Sequence, residues 1–270
     1  MEIYQLESIL LRQQVALWNE AFSDYLVPAA MTEASFTARM EKLHLSAQES
    51  LVAKVDGEAA AVILTGTRNF KTGIIAWIGG LAVVPKFRKK GISRQLLEQL
   101  FVRYQEQGVK ESRLEVISEN VPALKLYEKV GYKPINELIY LTGNLQNYGV
   151  VCSRLEDVSN TAEYVALENE DLPWQNRITA HHKIATIWQD EEQLGYIVYS
   201  LSDDNLILLQ VRLNHASTQI LSVLQAFYEI YGNISCAVFN EIITNNYLPV
   251  LLNKEFKKVA TQIQMCKEVQ

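Results

Sequence analysis

Apolar positions along the first 145 residues change period several times, and each change predicts an element. Residues 1–8 alternate as a strand does, and Ile9, Val15, Ala16 and Phe22 carry helical spacing over 9–22. A Pro-containing loop, Asp24 to Ala30, leads to Thr32, an expected N-cap for a helix with Phe36, Met40 and Leu43 on one face. Two strand-like runs, 50–55 and 59–65, meet at Asp56-Gly57, a strong hairpin signal. The run 74–84 is apolar almost throughout, which predicts a strand buried on both faces and ended by Pro85. Leu96, Leu97, Leu100, Phe101 and Tyr104 then mark an amphipathic helix closed by Gly108. A strand at 113–117, a short helix at 121–130 with Pro122 in its first turn and Gly131 past its end, and a strand entering at Tyr132 complete the series.

The polar, turn-rich run from Thr142 to Gly149 is the expected boundary, giving domains at 1–145 and 151–270. Beyond it the order returns in outline. Strands at 183–188 and 194–200 precede an apolar run from Leu206 to Val211, a helix at 216–231, a strand at 234–239 and a Pro-containing helix at 245–254. This matches residues 50–132 and predicts a degenerate internal duplication.

Composition narrows the class. Hydrophobic residues make up 49% and charged residues 21% of the chain, so neither disorder nor a membrane protein fits. A start without a basic or apolar leader argues against a signal peptide. Cys152, Cys236 and Cys266 are odd in number and widely spaced, so neither a disulfide framework nor a zinc site is expected, and a cytoplasmic setting is. The adjacent His181 and His182 would face opposite ways on a strand and make a poor metal pair. A net charge of −6 argues against a nucleic-acid partner. Against that background Lys86, Arg88, Lys89, Lys90 and Arg94 crowd into one short segment.

That segment joins a buried strand to a helix. The first turn of a helix leaves backbone N–H groups without intrahelical partners and carries partial positive charge. Gly91 has no Cβ to keep a phosphate away, Ser93 is small, and the surrounding cations add charge-assisted contacts. Arg88-Lys89-Lys90-Gly91-Ile92-Ser93 resembles the acetyl-CoA signature of the GCN5-related N-acetyltransferase (GNAT) superfamily, Arg/Gln-x-x-Gly-x-Gly/Ala, with Ser in the last place. The resemblance implies an α/β fold with a mixed, mostly antiparallel central sheet flanked by helices. It also implies that the backbone at Leu81 and Val83 pairs with the pantetheine arm, and that Arg88, Lys89, Lys90, Gly91, Ile92 and Ser93 hold the pyrophosphate.

The stretch from Leu114 to Tyr132 resembles the family's second cofactor motif. By that resemblance Asn120 hydrogen-bonds the pantetheine, Ala123 is a further cofactor contact, and Tyr127 faces the sulfur. A phenol of pKa near 10 is protonated at neutral pH, so it can donate to a departing thiolate. Leu114-Glu115-Val116 with a Tyr twelve residues on is similar to the family's ribosomal-protein alanine acetyltransferases, where the strand Glu is the general base. An ammonium acceptor must lose a proton before attack, and the strand 74–84 contains no acidic residue, which gives weight to Glu115. An ion pair with a nearby cation is the structural alternative for Glu115, and a core ring the alternative for Tyr127.

By the resemblance the first two helices border the acceptor pocket, which Asp24, Tyr25 and Glu33 lie near and Trp77 could line; solvated surface is the expectation for the first three, and the core for Trp77. In the second half the corresponding turn, Val211 to Thr218, has no glycine and no basic cluster, so no cofactor is expected there. The predicted function is transfer of an acetyl group from acetyl-CoA to a small-molecule or peptide amine by direct attack, with neither a metal nor a membrane partner. The competing readings are a non-catalytic acyl-CoA sensor and a nucleotide-binding module. The latter lacks a Gly-x-x-x-x-Gly-Lys-Ser/Thr loop.

Overall fold

The computed structural model describes residues 1–159, 172–179, 181–202, 204–214 and 218–269. The chain divides into two compact units, Met1–Ile135 with Gln264–Gln270, and Asn136–Ile263.

The first unit runs β1 (Glu2–Gln5), α1 (Leu11–Ala21), α2 (Glu33–Lys42), β2 (Leu51–Val55), β3 (Glu58–Phe70), β4 (Gly73–Val83), α3 (Ile92–Glu106), β5 (Val109–Ile117) and α4 (Val121–Lys129). Its sheet follows the order β1-β2-β3-β4-β5, and the end of the chain's last strand, from Gln264, lies beside β5. The β2–β3 hairpin turns on Asp56 (φ 52°) and Gly57 (φ 82°), the left-handed pair that a two-residue loop requires. Thr32 caps α2 through its hydroxyl, as its sequence position predicts.

β3 and β4 are antiparallel, but Leu64 pairs with Gly80 and Thr65 with Ile78, so Gly79 is an extra residue in β4. β4 and β5 are parallel and stay paired only as far as Ile78 and Leu114. Past that pair the two strands fork. The expectation that 74–84 is buried on both faces therefore holds for Ile75–Ile78, while Gly79–Ala82 are half-buried because they border the fork. Small residues are needed at the bulge. A Cβ on Gly79 would meet Trp77 and Leu45 side-chain atoms at 2.6 and 2.8 Å, and one on Gly80 would meet Trp18 at 2.6 Å.

The second unit repeats this plan. It contains most of β6 (Lys133–Asn144), then β7 (Arg154–Asp157), β8 (Lys183–Gln189), β9 (Glu192–Ser202), β10 (Asn205–Leu213), α5 (Gln219–Tyr231), β11 (Ser235–Ile242), α6 (Leu248–Leu252) and the first part of β12 (Lys257–Glu268). The order is β6-β11-β10-β9-β8-β7. β10 and β11 are parallel and paired as far as Leu208 and Val238, and Leu209 is the extra residue against β9. Bulge and fork thus recur at matching places. The polar run expected to be a turn begins as strand instead: Thr142, Gly143 and Asn144 pair with Ala237, Cys236 and Ser235. The helix expected from residue 216 starts at Gln219, and His215–Ser217 lie outside the described residues.

Buried phenols give the fold a pH limit. Tyr104, Tyr127 and Tyr132 of the first unit are all buried, and desolvation raises each phenol above its ordinary range. A raised folded-state pKa means stability that is intact below the unfolded value of about 10 and lost as pH rises above it. The thermal unfolding midpoint is expected to be flat from pH 7 to about 9 and to fall steeply above about 10. A midpoint unchanged at pH 11 would contradict this.

Candidate active site

The fork between β4 and β5 opens into a cleft of about 610 Å³. Leu81, Ala82 and Val83 of β4 form one wall, the turn from Phe87 to Arg94 an end, and Asn120, Ala123 and Tyr127 of α4 the opposite wall. Residues after α1, including Asp24 and Tyr25, complete the lining.

The basic turn leaves several of its donors unused. Lys89 (φ 62°) and Gly91 (φ 76°) both adopt left-handed backbone. No side chain caps α3, and the N–H groups of Gly91, Ile92, Ser93 and Arg94 have no protein acceptor among the described residues. The contrast with α2 and α4, capped by Thr32 and Asn120, is informative. Orphan N–H groups at an open helix start form a ready anion site. A Cβ on Gly91 would touch only Gln95 Nε2, at 3.9 Å, so glycine is needed there for its backbone angle.

The cations divide by task. Lys86 pairs with Glu58, Arg94 with Glu98 at 2.8 Å, and Arg88 with Asp24 at 2.6 Å. Lys89 lines the cleft and has no carboxylate partner among the described residues. Lys90, grouped with the phosphate contacts by sequence, is not in the lining; its ammonium sits 5.5 Å over the Phe87 ring.

Asn120 Oδ1 accepts from the Ala123 N–H at 3.2 Å, which starts α4, and Tyr25 lines the cleft with it. Tyr127 is buried to 7% exposure, its ring edge-on to Tyr132 at 5.6 Å, and burial raises its phenol well above the usual value. Its hydroxyl has no protein partner among the described residues.

Glu115 lies at the root of the fork, one residue past the last β4–β5 pair, and outside the cleft lining. Trp77 Nε1 donates to its Oε2 at 2.6 Å, and Gln264 Nε2 to its Oε1 at 3.2 Å. Gln264 is buried and belongs to the first unit although it lies 149 residues along the chain, a contribution no local sequence signal announces. Asp24 and Glu33 are exposed, as expected, although Asp24 also borders the cleft; Tyr25, expected on solvated surface, is half-buried in the cleft lining.

In the second unit the equivalent fork is filled from within. Asn176 Nδ2 donates to the carbonyls of Leu209 (2.5 Å) and Phe239 (2.6 Å), the first residues past the last β10–β11 pair, and reaches that of Asn240 at 3.4 Å. Gln210 Nε2 donates back to the Asn176 carbonyl at 2.8 Å.

Residues 4–132 match the profile of the acetyltransferase (GNAT) family. Among solved structures the chain is similar over its whole length to a GCN5-related N-acetyltransferase from Sphaerobacter thermophilus, with 12% identity, 96% of that chain covered and a TM-score of 0.69. It is similar also to a tandem GNAT protein from the clavulanic acid biosynthesis pathway (13%, all of this chain and 98% of that one, TM-score 0.66). A GCN5-related N-acetyltransferase from Anabaena variabilis matches at 15%, covering all of this chain and 73% of its own, with a TM-score of 0.63. At these identities the likeness is one of fold. No curated protein matches the sequence. No helix among the described residues is long and apolar enough to cross a membrane.

Proposed function

We propose that the chain, whose residues 4–132 match the acetyltransferase (GNAT) family, transfers an acetyl group from acetyl-CoA to a primary amine. The observation that carries this reading is the meeting, in one cleft, of an uncapped helix start and a buried phenol with a free hydroxyl. The orphan N–H groups of Gly91–Arg94, with Lys89, suit the pyrophosphate of the donor substrate. The unpaired edge of β4 past Ile78 offers backbone at Leu81 and Val83 to the pantetheine amides. The three cysteines are unpaired, in keeping with action in a reducing cytoplasm.

In the reaction so assigned, the amine nitrogen bonds to the acetyl carbon and the carbon–sulfur bond breaks. Tyr127 gives its proton to the departing sulfur, and backbone N–H at the Gly79 bulge polarises the carbonyl. Glu115, fixed by Trp77 and Gln264, accepts the amine's proton through water.

Gly91→Val tests the donor site. A β-branched residue does not settle at φ 76°, so the turn leaves the left-handed region and its N–H groups turn away. Coenzyme A affinity by calorimetry is expected to fall by at least about tenfold, the scale of the 1–2 kcal/mol that left-handed backbone costs. Unaltered affinity would remove the phosphate assignment. Release of free thiol from acetyl-CoA against a panel of amines separates an enzyme from a non-catalytic acyl-CoA sensor, which binds but releases none.

A further inference from the structure

Arg88 opens the basic turn, and charge alone assigns it to the phosphates. Its guanidinium is committed elsewhere. Nη1 and Nη2 each donate to one oxygen of Asp24 at 2.6 Å, Nη2 also reaches the carbonyl of Ala21 at 3.2 Å, and Nε donates to the carbonyl of Val83 at 2.9 Å. These partners are the last residue of α1, the last residue of β4 and the segment that follows α1. A planar fork with five N–H donors is suited to such a junction, and an ammonium is not.

The segment held this way spans the cleft. Asp24 is tied to the turn at one wall, and its neighbour Tyr25 lines the same cleft as Asn120, the cap of α4, at the other. The Tyr25 ring stands edge-on to Phe22 at 5.1 Å, which fixes its direction. Tyr25 and Tyr127 therefore line the same cleft, from the segment and from α4 respectively. For its guanidinium to reach a phosphate, Arg88 would have to release Asp24 and loosen this strap. The pyrophosphate has other partners in Lys89 and the free N–H groups of Gly91–Arg94.

Resting on the acyl-CoA reading of the cleft, we infer that Arg88 is a positioning residue for the acceptor side: it holds Asp24, and through it sets Tyr25 across the cleft, and is not a phosphate ligand. Tyr25 is then the side chain that meets the incoming amine opposite Tyr127.

Arg88→Lys keeps the charge and loses the fork; Asp24→Asn keeps Arg88 and loses its partner. Two measurements on the full chain separate the roles: calorimetry with coenzyme A, and chymotryptic cutting after Phe22, Tyr25 and Leu26, followed by fragment mass. Coenzyme A affinity is expected to change less than tenfold in either variant, while cutting of the strap accelerates at least fivefold in both. In a turnover assay with any amine that the wild type acetylates, the KM for the amine rises more than the KM for acetyl-CoA. A tenfold or greater loss of coenzyme A affinity in either variant, or unchanged cutting, overturns the inference. If the wild type itself bound no coenzyme A, the proposed function would fall on its own, whatever the cutting assay gave.

Discussion

Tyr127→Phe is expected to slow acetyl transfer by roughly 10- to 1000-fold, the usual span of acid catalysis, while coenzyme A affinity stays within about threefold. This phenol differs from three of the other buried ones. Tyr104 bonds Thr65, Tyr132 bonds Ser112 at 2.6 Å, and Tyr247 donates to Glu241 at 2.5 Å; each hydroxyl has a structural partner. Tyr127 has none among the described residues, yet it sits in the wall of the cleft. Removing its oxygen leaves no protein group unsatisfied, so the variant keeps its fold and loses only what the hydroxyl does to a ligand. Burial raises this phenol above its ordinary pKa, so the proton-donating form persists beyond pH 10. An alkaline fall in rate below about pH 9 would then belong to another group. The rate of thiol release, measured beside calorimetry with coenzyme A, decides the matter: equal turnover in both proteins excludes Tyr127 as the acid.

Much of this site was legible because its chemistry is local. The turn from Arg88 to Ser93 and the stretch from Asn120 to Tyr127 are each continuous in sequence, and glycine, caps and apolar spacing report their backbone directly. Asp56-Gly57, Thr32 and the Pro122/Gly131 pair worked for the same reason. What stayed hidden depends on register and on distant chain. The bulge at Gly79 is invisible until β3 is laid against β4, and it is what ends the burial of β4 at Ile78. Gln264 reaches Glu115 because the last strand of the chain closes the first unit, which no window of residues around either one contains. Five cations in nine residues look like one anion site, but Lys86, Arg88 and Arg94 are each neutralised by a carboxylate brought from elsewhere on the chain or from the next helical turn.

Asn176→Ala is expected to destabilise the second unit by about 2–4 kcal/mol, because it strips the donor from buried carbonyls at the β10–β11 fork. The reason is the geometry that both units share. Where parallel strands part, each exposes a backbone edge whose carbonyls and N–H groups need partners. In the first unit that edge faces a cleft, and on the reading above the amides of pantetheine satisfy it. In the second unit an amide is supplied by the chain: Asn176, 2% exposed, meets one carbonyl on each departing strand, and Gln210 secures its backbone in turn. The side chain thus stands where a ligand amide would, and the fork is closed by the protein's own chemistry. Denaturant unfolding of the variant, followed by near-ultraviolet signals and by hydrogen exchange of β10 and β11, measures the loss. An unfolding midpoint equal to that of the wild type would show that water satisfies these carbonyls as well as Asn176 does. A variant that instead gained a second equivalent of bound coenzyme A would show that this one amide had kept a working site shut.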